Sequence, residues 1–458
     1  MLAIIIIYLV LLMCIGIYDM FRVKNFDDFV TAGKNQAFVP VFMSLLATML
    51  GASATIGTAD RVTEIGFPAF WWLASGAVGL VLQGAFLSEK IRSLDAKTLP
   101  DAAQILVGTG ARTLSAVIIT ISWIGIIAAQ FVSISRIISV MLPSLDLKLL
   151  LIFIATLVIL YTFFGGQISV VRTDIVQALV IFIGIVSAFI YVFFLSDGNS
   201  AEITSNLHLT NTEFGVMDII NVLFITGGAY FLGPDILSRN FISKDGKTAR
   251  RAVLLSAVTL AVFSAVITLT AMWANTNVQL NGENPLIHIM NNCVPYPIAV
   301  LLCLALISSL LSSADTCLVN AASIIENDIL KRNSIKETRI FICVLGIISL
   351  VIAMFKSGII ALLTYAYSIY VPGIVFPLFF AICFYKKRAI HKPLWYTAVI
   401  SGGFTGFLHS ALGIGSAFLP LIGMGISFII SGLSVLFGDK LTEQKHNLHF
   451  FEKKLDIC

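Results

Sequence analysis

Apolar positions fall in blocks of roughly twenty residues along most of the chain, separated by short polar segments. A helix needs about twenty apolar residues to cross the hydrocarbon core of a bilayer. Thirteen blocks qualify, near 2–20, 37–60, 67–89, 113–142, 148–164, 169–195, 213–239, 249–275, 294–327, 336–355, 358–385, 393–412 and 416–437. In lipid every backbone polar group must be satisfied inside its own segment, which helices do. The expected fold class is an all-α polytopic membrane protein with about 13 transmembrane helices.

The ninth block breaks the apolar pattern. From Ala305 to Ile329 it reads ALISSLLSSADTCLVNAASIIENDI, with Ser308, Ser309, Ser312, Ser313, Asp315 and Thr316 close together. At helical spacing Ser309, Ser313 and Thr316 share one stripe, and Ser308, Ser312 and Asp315 the next. Hydroxyls and a carboxylate at membrane depth are costly unless something polar or charged faces them. Small residues for close packing, bonding to their own backbone, are one explanation. Six oxygen-bearing side chains, one of them acidic, favour the other: a small hard cation held by oxygen ligands.

Two further blocks are interrupted. SLLATMLGASATIGTA places small and hydroxyl residues around Gly51, and FITGGAYFLGPDILSR carries Gly227, Gly228, Gly233 and Pro234. Glycine loosens a helix and proline removes a backbone donor. Such spans are tolerated where they line a cavity, and their freed carbonyls can hold ions. Ordinary glycine-mediated packing is the alternative for either span alone. Two interruptions five helices apart predict an inverted repeat of helices 2–6 (37–195) against helices 7–11 (213–385). Residues 1–36 then form a first helix with its inner loop, 393–437 two peripheral helices, and 438–458 a tail.

Composition agrees: 58% of the residues are hydrophobic and 12% charged, against about a quarter charged in soluble domains. The run from Leu2 to Tyr18 lacks a basic leader and a small-residue cleavage site, and reads as a span. Among the 29 basic residues only Arg61, Arg136, Lys148 and Lys356 fall away from the odd-to-even loops and the tail. By the positive-inside rule the N-terminus lies outside and the C-terminus in the cytoplasm, in a plasma (inner) membrane. The net charge of +4 follows from these loops and does not point to nucleic acid. Seven cysteines form no CxxC, and the six histidines show no ligand spacing. No HExxH or nucleotide-binding glycine loop is present, so an enzyme is not expected. A sensor with an appended domain is disfavoured by the short stretch after Gly438, too short to fold alone.

Several motifs resemble the sodium/solute symporter family, which includes proline, pantothenate, sialic acid and sugar symporters. They are FDDFVTAGKN (26–35), GGQISVVRTDIVQ (165–177), LGPDILSR (232–239) followed by KDGKTARRA, and SSADTCLVNAASIIENDI (312–329). The resemblance covers almost the whole length. It implies a five-plus-five, leucine-transporter-like core and sodium-coupled solute import by alternating access. It also implies a sodium between helices 2 and 9, held by the carbonyls of Ala47, Leu50 and Ser309 and the hydroxyls of Ser312 and Ser313. A second sodium, found in some relatives, would fall at Asp174, Asp315 and Thr316. Asp315 could instead bond a backbone group or Arg172.

The pocket departs from known relatives. Met49 and Ala54 stand where sugar carriers present Asn and Gln. Gly51 and Ala54 replace hydroxyls of sialic acid carriers, and Arg136 lies near its helix end. Thr48, Ser53, Phe70, Gln130, Thr226, Tyr230 and Asp235 remain as candidate substrate contacts. Apolar and aromatic walls with few polar groups suit a small amino acid or organic acid. Trp71 and Trp72 could be interfacial belt residues, and Asp235 could pair with Arg239 one turn along. A proton-coupled carrier of the same fold, or a solute-sensing membrane domain, is the alternative function.

Overall fold

The apolar blocks become helices: α1 (Leu2–Met20), α2 (Phe38–Met49 and Ser53–Ile65), α3 (Phe67–Phe86), α4 (Thr109–Met141), α5 (Leu147–Gly165) and α6 (Gln167–Leu195). They continue as α7 (Val216–Leu232 and Pro234–Ile242), α8 (Gly246–Asn277), α9 (Tyr296–Ile329), α10 (Ile335–Phe355), α11 (Ile359–Phe384), α12 (Lys392–Leu412) and α13 (Leu419–Leu436). The structure is a computed structural model describing residues 1–196, 198, 203, 207–356, 358–414, 416 and 418–439. The basic tail residues Lys440, Lys445, Lys453 and Lys454, and Cys458, lie outside the described residues.

Eleven helices are long and apolar enough to cross a membrane, and twelve when the two halves of α2 count as one span. The expected thirteenth, α12, is a helix of 21 residues that falls short of that test. Its glycines, serines, threonines and His409 dilute the apolar pattern. It packs antiparallel to α13 across a short connection.

Burial ranks the helices. In α9, 78% of the apolar window is buried within the protein, against 22% in α1. The serine-rich helix is therefore central, surrounded by α2, α4, α5, α6, α10 and the second half of α7. Close approach depends on small residues at the crossings. A Cβ added at Gly79 of α3 would lie 2.1 Å from the carbonyl oxygen of Gly227 in α7. Gly79→Ala is expected to destabilise the protein by about 1–3 kcal/mol, the cost of overpacking a contact that cannot yield. Gly425→Ala, with nothing within 4 Å of the new methyl, should leave thermal unfolding in detergent unchanged. Equal melting of the two variants would contradict the packing.

The basic loops gather at one end. Lys34 pairs with Asp95 at 2.7 Å, Lys97 with Asp27 at 2.5 Å, and Arg112 with Asp328 at 2.7 Å. Arg92 Nε donates to the carbonyl of Ser243 at 2.5 Å. Gln36 and Lys244 tie the segment before α2 to the segment after α7 through backbone bonds.

Candidate functional site

The serines of α9 are all buried, and their partners differ. Ser308 donates to the carbonyl of Leu304 and meets Tyr8 of α1 at 2.6 Å. Ser309 donates to the carbonyl of Leu306 at 2.8 Å. These two follow the back-bonding expected of helical serines. Ser313 Oγ reaches across to the carbonyl of Thr48 at 2.7 Å, sharing its proton with Ser309 O at 3.0 Å. Ser312 turns to α6 and donates to Asp174 Oδ1 at 2.5 Å.

The span facing Ser313 is the broken one. The two halves of α2 are bent by 51° across Leu50, Gly51 and Ala52. Beyond Met49 the ladder fails, leaving the carbonyls of Ala47 and Leu50 without a backbone donor among the described residues. Other helices satisfy part of the break. Gln130 of α4 accepts from the amide of Ala52 at 3.0 Å, and Tyr230 of α7 donates to the carbonyl of Met49 at 3.1 Å. Gly51 must lack a side chain: a Cβ there would lie 2.3 Å from Ser313 Oγ. The break in α2 thus packs against Ser313 of α9, whose Oγ bonds the carbonyl of Thr48.

Helix α7 breaks at Gly233, whose backbone is extended (φ −61°, ψ 130°). Pro234 then starts a new helix, as proline does at a first turn, and Tyr370 of α11 caps the freed carbonyl of Leu232 at 2.5 Å. The restart aims Arg239 at the serine cluster. Both Arg239 and Asp174 have no exposed side-chain surface, and they pair at 2.8 Å. Arg239 Nη2 also donates to Thr48 and Thr316, each at 2.8 Å, and Nε to Ser44 at 2.9 Å. Nη1 takes Ser238 at 3.0 Å and the backbone oxygen of Asp235 at 3.2 Å. Ser44 in turn donates to Asp174. One guanidinium joins α2, α6, α7 and α9.

Two expected pairings are corrected. Arg172 pairs with Asp19 of α1, not with Asp315. Both carboxylate oxygens of Asp315 are buried without a hydrogen-bond partner among the described residues, within electrostatic reach of Asp174, Arg239 and Tyr161. Arg239 takes the backbone oxygen of Asp235 and gives its ion pair to Asp174, because the helix restart turns its fork toward α6.

Between the two breaks lies a small cavity of about 30 Å³. Thr48, Ser53, Gln130, Tyr230 and Asp235 line it as expected. Phe70 and Thr226 do not. Phe70 stacks on Phe67 at 5.6 Å, and Thr226 is buried elsewhere on α7. Trp123 and Ile126 of α4, and Leu363 and Tyr367 of α11, complete the wall. The 123-to-130 spacing on α4 was a readable signal, since Trp123 and Gln130 share one helical face. Nothing local marks the α11 residues. Trp72 donates to Ser53 at 2.8 Å, so it braces the pocket instead of standing in a belt. Above the α2 break, Asp60 takes Arg136 at 3.2 Å and Asn284 at 2.6 Å.

The sequence model of the "Sodium:solute symporter family" matches residues 29–392. The chain belongs to the sodium:solute symporter family. This symporter-family chain is similar to the "High-affinity proline transporter PutP" of Bacillus subtilis (strain 168), 22% identical over 94% of this chain and 96% of that protein. It is 29% identical to the human "High affinity choline transporter 1", over 40% of this chain and only 33% of that protein. Among solved structures it resembles a Na+-coupled sialic acid symporter in a substrate-bound outward-open state, with a TM-score of 0.77 and 19% identity, covering 96% of this chain and 98% of the other. That likeness shows the fold. The family and these neighbours are transporters, and this chain is a multi-span membrane protein of the same kind.

Proposed function

We propose that this family member is a sodium-coupled secondary symporter that imports a small organic solute, an amino acid or organic acid, by alternating access. The observation that carries the reading is the contact of broken α2 with α9. Around that contact the carbonyls of Ala47 and Leu50, which have no backbone donor among the described residues, would join Ser309, Ser312 and Ser313 as ligands of the ion. Five oxygens of this kind, uncharged apart from the adjacent Asp174, suit a hard monovalent cation. The proline transporters among its relatives support an amino acid.

Sodium at that crossing would draw α2 to α9 and order the cavity walls. Solute and sodium would then tighten each other by a coupling of typically about 1–3 kcal/mol, reciprocal by linkage. The contracted cavity of about 30 Å³ suits an occluded arrangement with little room for solute. With the basic loops cytoplasmic, the N-terminus lies outside and the C-terminus inside a plasma membrane. A second sodium at Asp174, Asp315 and Thr316 is supported by the unpartnered oxygens of Asp315. Arg239 would have to withdraw from Asp174 to admit it.

Uptake into proteoliposomes under a sodium gradient tests the reading, with potassium replacing sodium as control. Ser312→Ala and Ser313→Ala should each raise the half-saturating sodium concentration roughly tenfold, since one bond to a charged group is worth about 1.5–3 kcal/mol. Unchanged sodium dependence in both variants overturns the site. Uptake that follows a pH gradient and ignores sodium would make the chain a proton-coupled carrier.

A further inference from the structure

We infer that the cavity between the two helix breaks recognises an ammonium group, with the Asp235 carboxylate as its counter-charge. The inference rests on the transport reading above and narrows it, favouring amine-bearing solutes over acids that lack an amine.

Asp235 stands in the first turn of the restarted α7 helix, half-buried, with its side chain on the cavity wall. It makes no ion pair among the described residues. Arg239, one turn along, lies within electrostatic reach of Asp235 but makes no ion pair with it, because every N–H of Arg239 is committed: Nε to Ser44, Nη1 to Ser238 and the Asp235 backbone, and Nη2 to Thr48, Asp174 and Thr316. No lysine or arginine lines the cavity. A carboxylate facing a nearly dry space is costly until a positive charge joins it.

The remaining walls accept such a charge. Trp123, Tyr230 and Tyr367 present aromatic rings, whose faces attract ammonium groups, quaternary ones included. Trp123 is held edge-on by Tyr370 at 4.9 Å, so its ring is fixed in advance. An organic acid without an amine would set a second negative charge against Asp235 with no basic residue to meet it. The cavity, about 30 Å³ in this arrangement, has room for about one water, so an ammonium-bearing solute is bound only once the cavity widens.

Thermal unfolding of the purified, sodium-loaded protein tests this with matched probes. Choline is compared with its uncharged isostere 3,3-dimethyl-1-butanol and the anion 3,3-dimethylbutanoate, with L-proline as an amino acid. Choline and proline should raise the melting temperature, and the alcohol and the anion should not. Asp235→Asn should raise the choline concentration needed at least tenfold. Tyr367→Leu, which keeps the carboxylate, should weaken choline more than proline. Equal or better stabilisation by the uncharged or anionic isostere overturns the inference, as does an Asp235→Asn protein with unaltered choline response. Sodium stabilisation without any effect of choline or proline also overturns it and leaves the symport reading standing. A choline preference that persists with no sodium effect supports the ammonium site and overturns the sodium coupling.

Discussion

Arg239→Met is expected to cut the yield of folded protein sharply and to lower its melting temperature more than any other single substitution in the cluster. Arg239 and Asp174 are both fully buried and pair at 2.8 Å. Removing one partner of a buried pair costs about 3–5 kcal/mol, because the other charge is left uncompensated. Here the loss is compounded, since Asp315 lies within reach of the same guanidinium. Three helices, α2, α6 and α9, also lose their shared donor at Ser44, Thr48, Asp174 and Thr316. Arg239→Lys should rescue little: an ammonium has three donors and no planar fork with which to span these acceptors. Asp174→Asn should be milder, because Arg239 keeps its hydroxyl and backbone acceptors. Monodisperse yield after detergent extraction, followed by melting, reads all three. An Arg239→Met protein as stable as wild type would show that the guanidinium is not the link among α2, α6, α7 and α9.

Gly51→Ala should abolish sodium-dependent uptake while sparing most of the fold. The added methyl would sit 2.3 Å from Ser313 Oγ and 2.8 Å from Ser313 Cβ. Real Cβ atoms do not approach so closely, so α2 must move away from α9 at the ion crossing. Overpacking of this kind costs about 1–3 kcal/mol, a modest share of what holds so many packed helices together. The effect on coupling is larger, because the proposed ligands come from both α2 and α9. A double-mutant cycle separates the two consequences. Ser313→Gly in the Gly51→Ala background should recover packing, seen as melting, without recovering sodium affinity, because the hydroxyl is gone. Normal sodium-driven uptake by Gly51→Ala would mean that the α2–α9 crossing is not the ion site.

Much of the architecture was legible because lipid leaves few choices. The apolar blocks matched helices from α1 to α13, and only α12, with its glycines and His409, fell below the apolar threshold for a span. The two interruptions were visible because glycine loosens the helix at Gly51 and the Gly233-Pro234 pair removes a backbone donor. The serines of α9 announced a polar face. What stayed hidden was how that face is shared. Ser309 bonds its own helix, Ser313 turns to α2, and Ser312 to α6. The same limit applied to charge: Asp235 had a plausible partner one turn along in Arg239, and Asp315 a distant one in Arg172, and neither pairing formed. Phe70 and Thr226 were near the breaks in sequence, yet the cavity took Leu363 and Tyr367 from α11 instead.

Taken alone, the sequence determined which segments are helical, where two of them break, and that a hydroxyl-bearing face lies within the ninth. These are properties of short stretches, decided by apolar run length and by residues that cannot hold helical geometry or donate a backbone proton. The tertiary structure decided the partner of each charge and the walls of the cavity. Those depend on the angle at which α7 restarts after Gly233 and on the approach of α2 to α9 that Gly51 permits, and no local pattern encodes the distance between helices far apart in the chain.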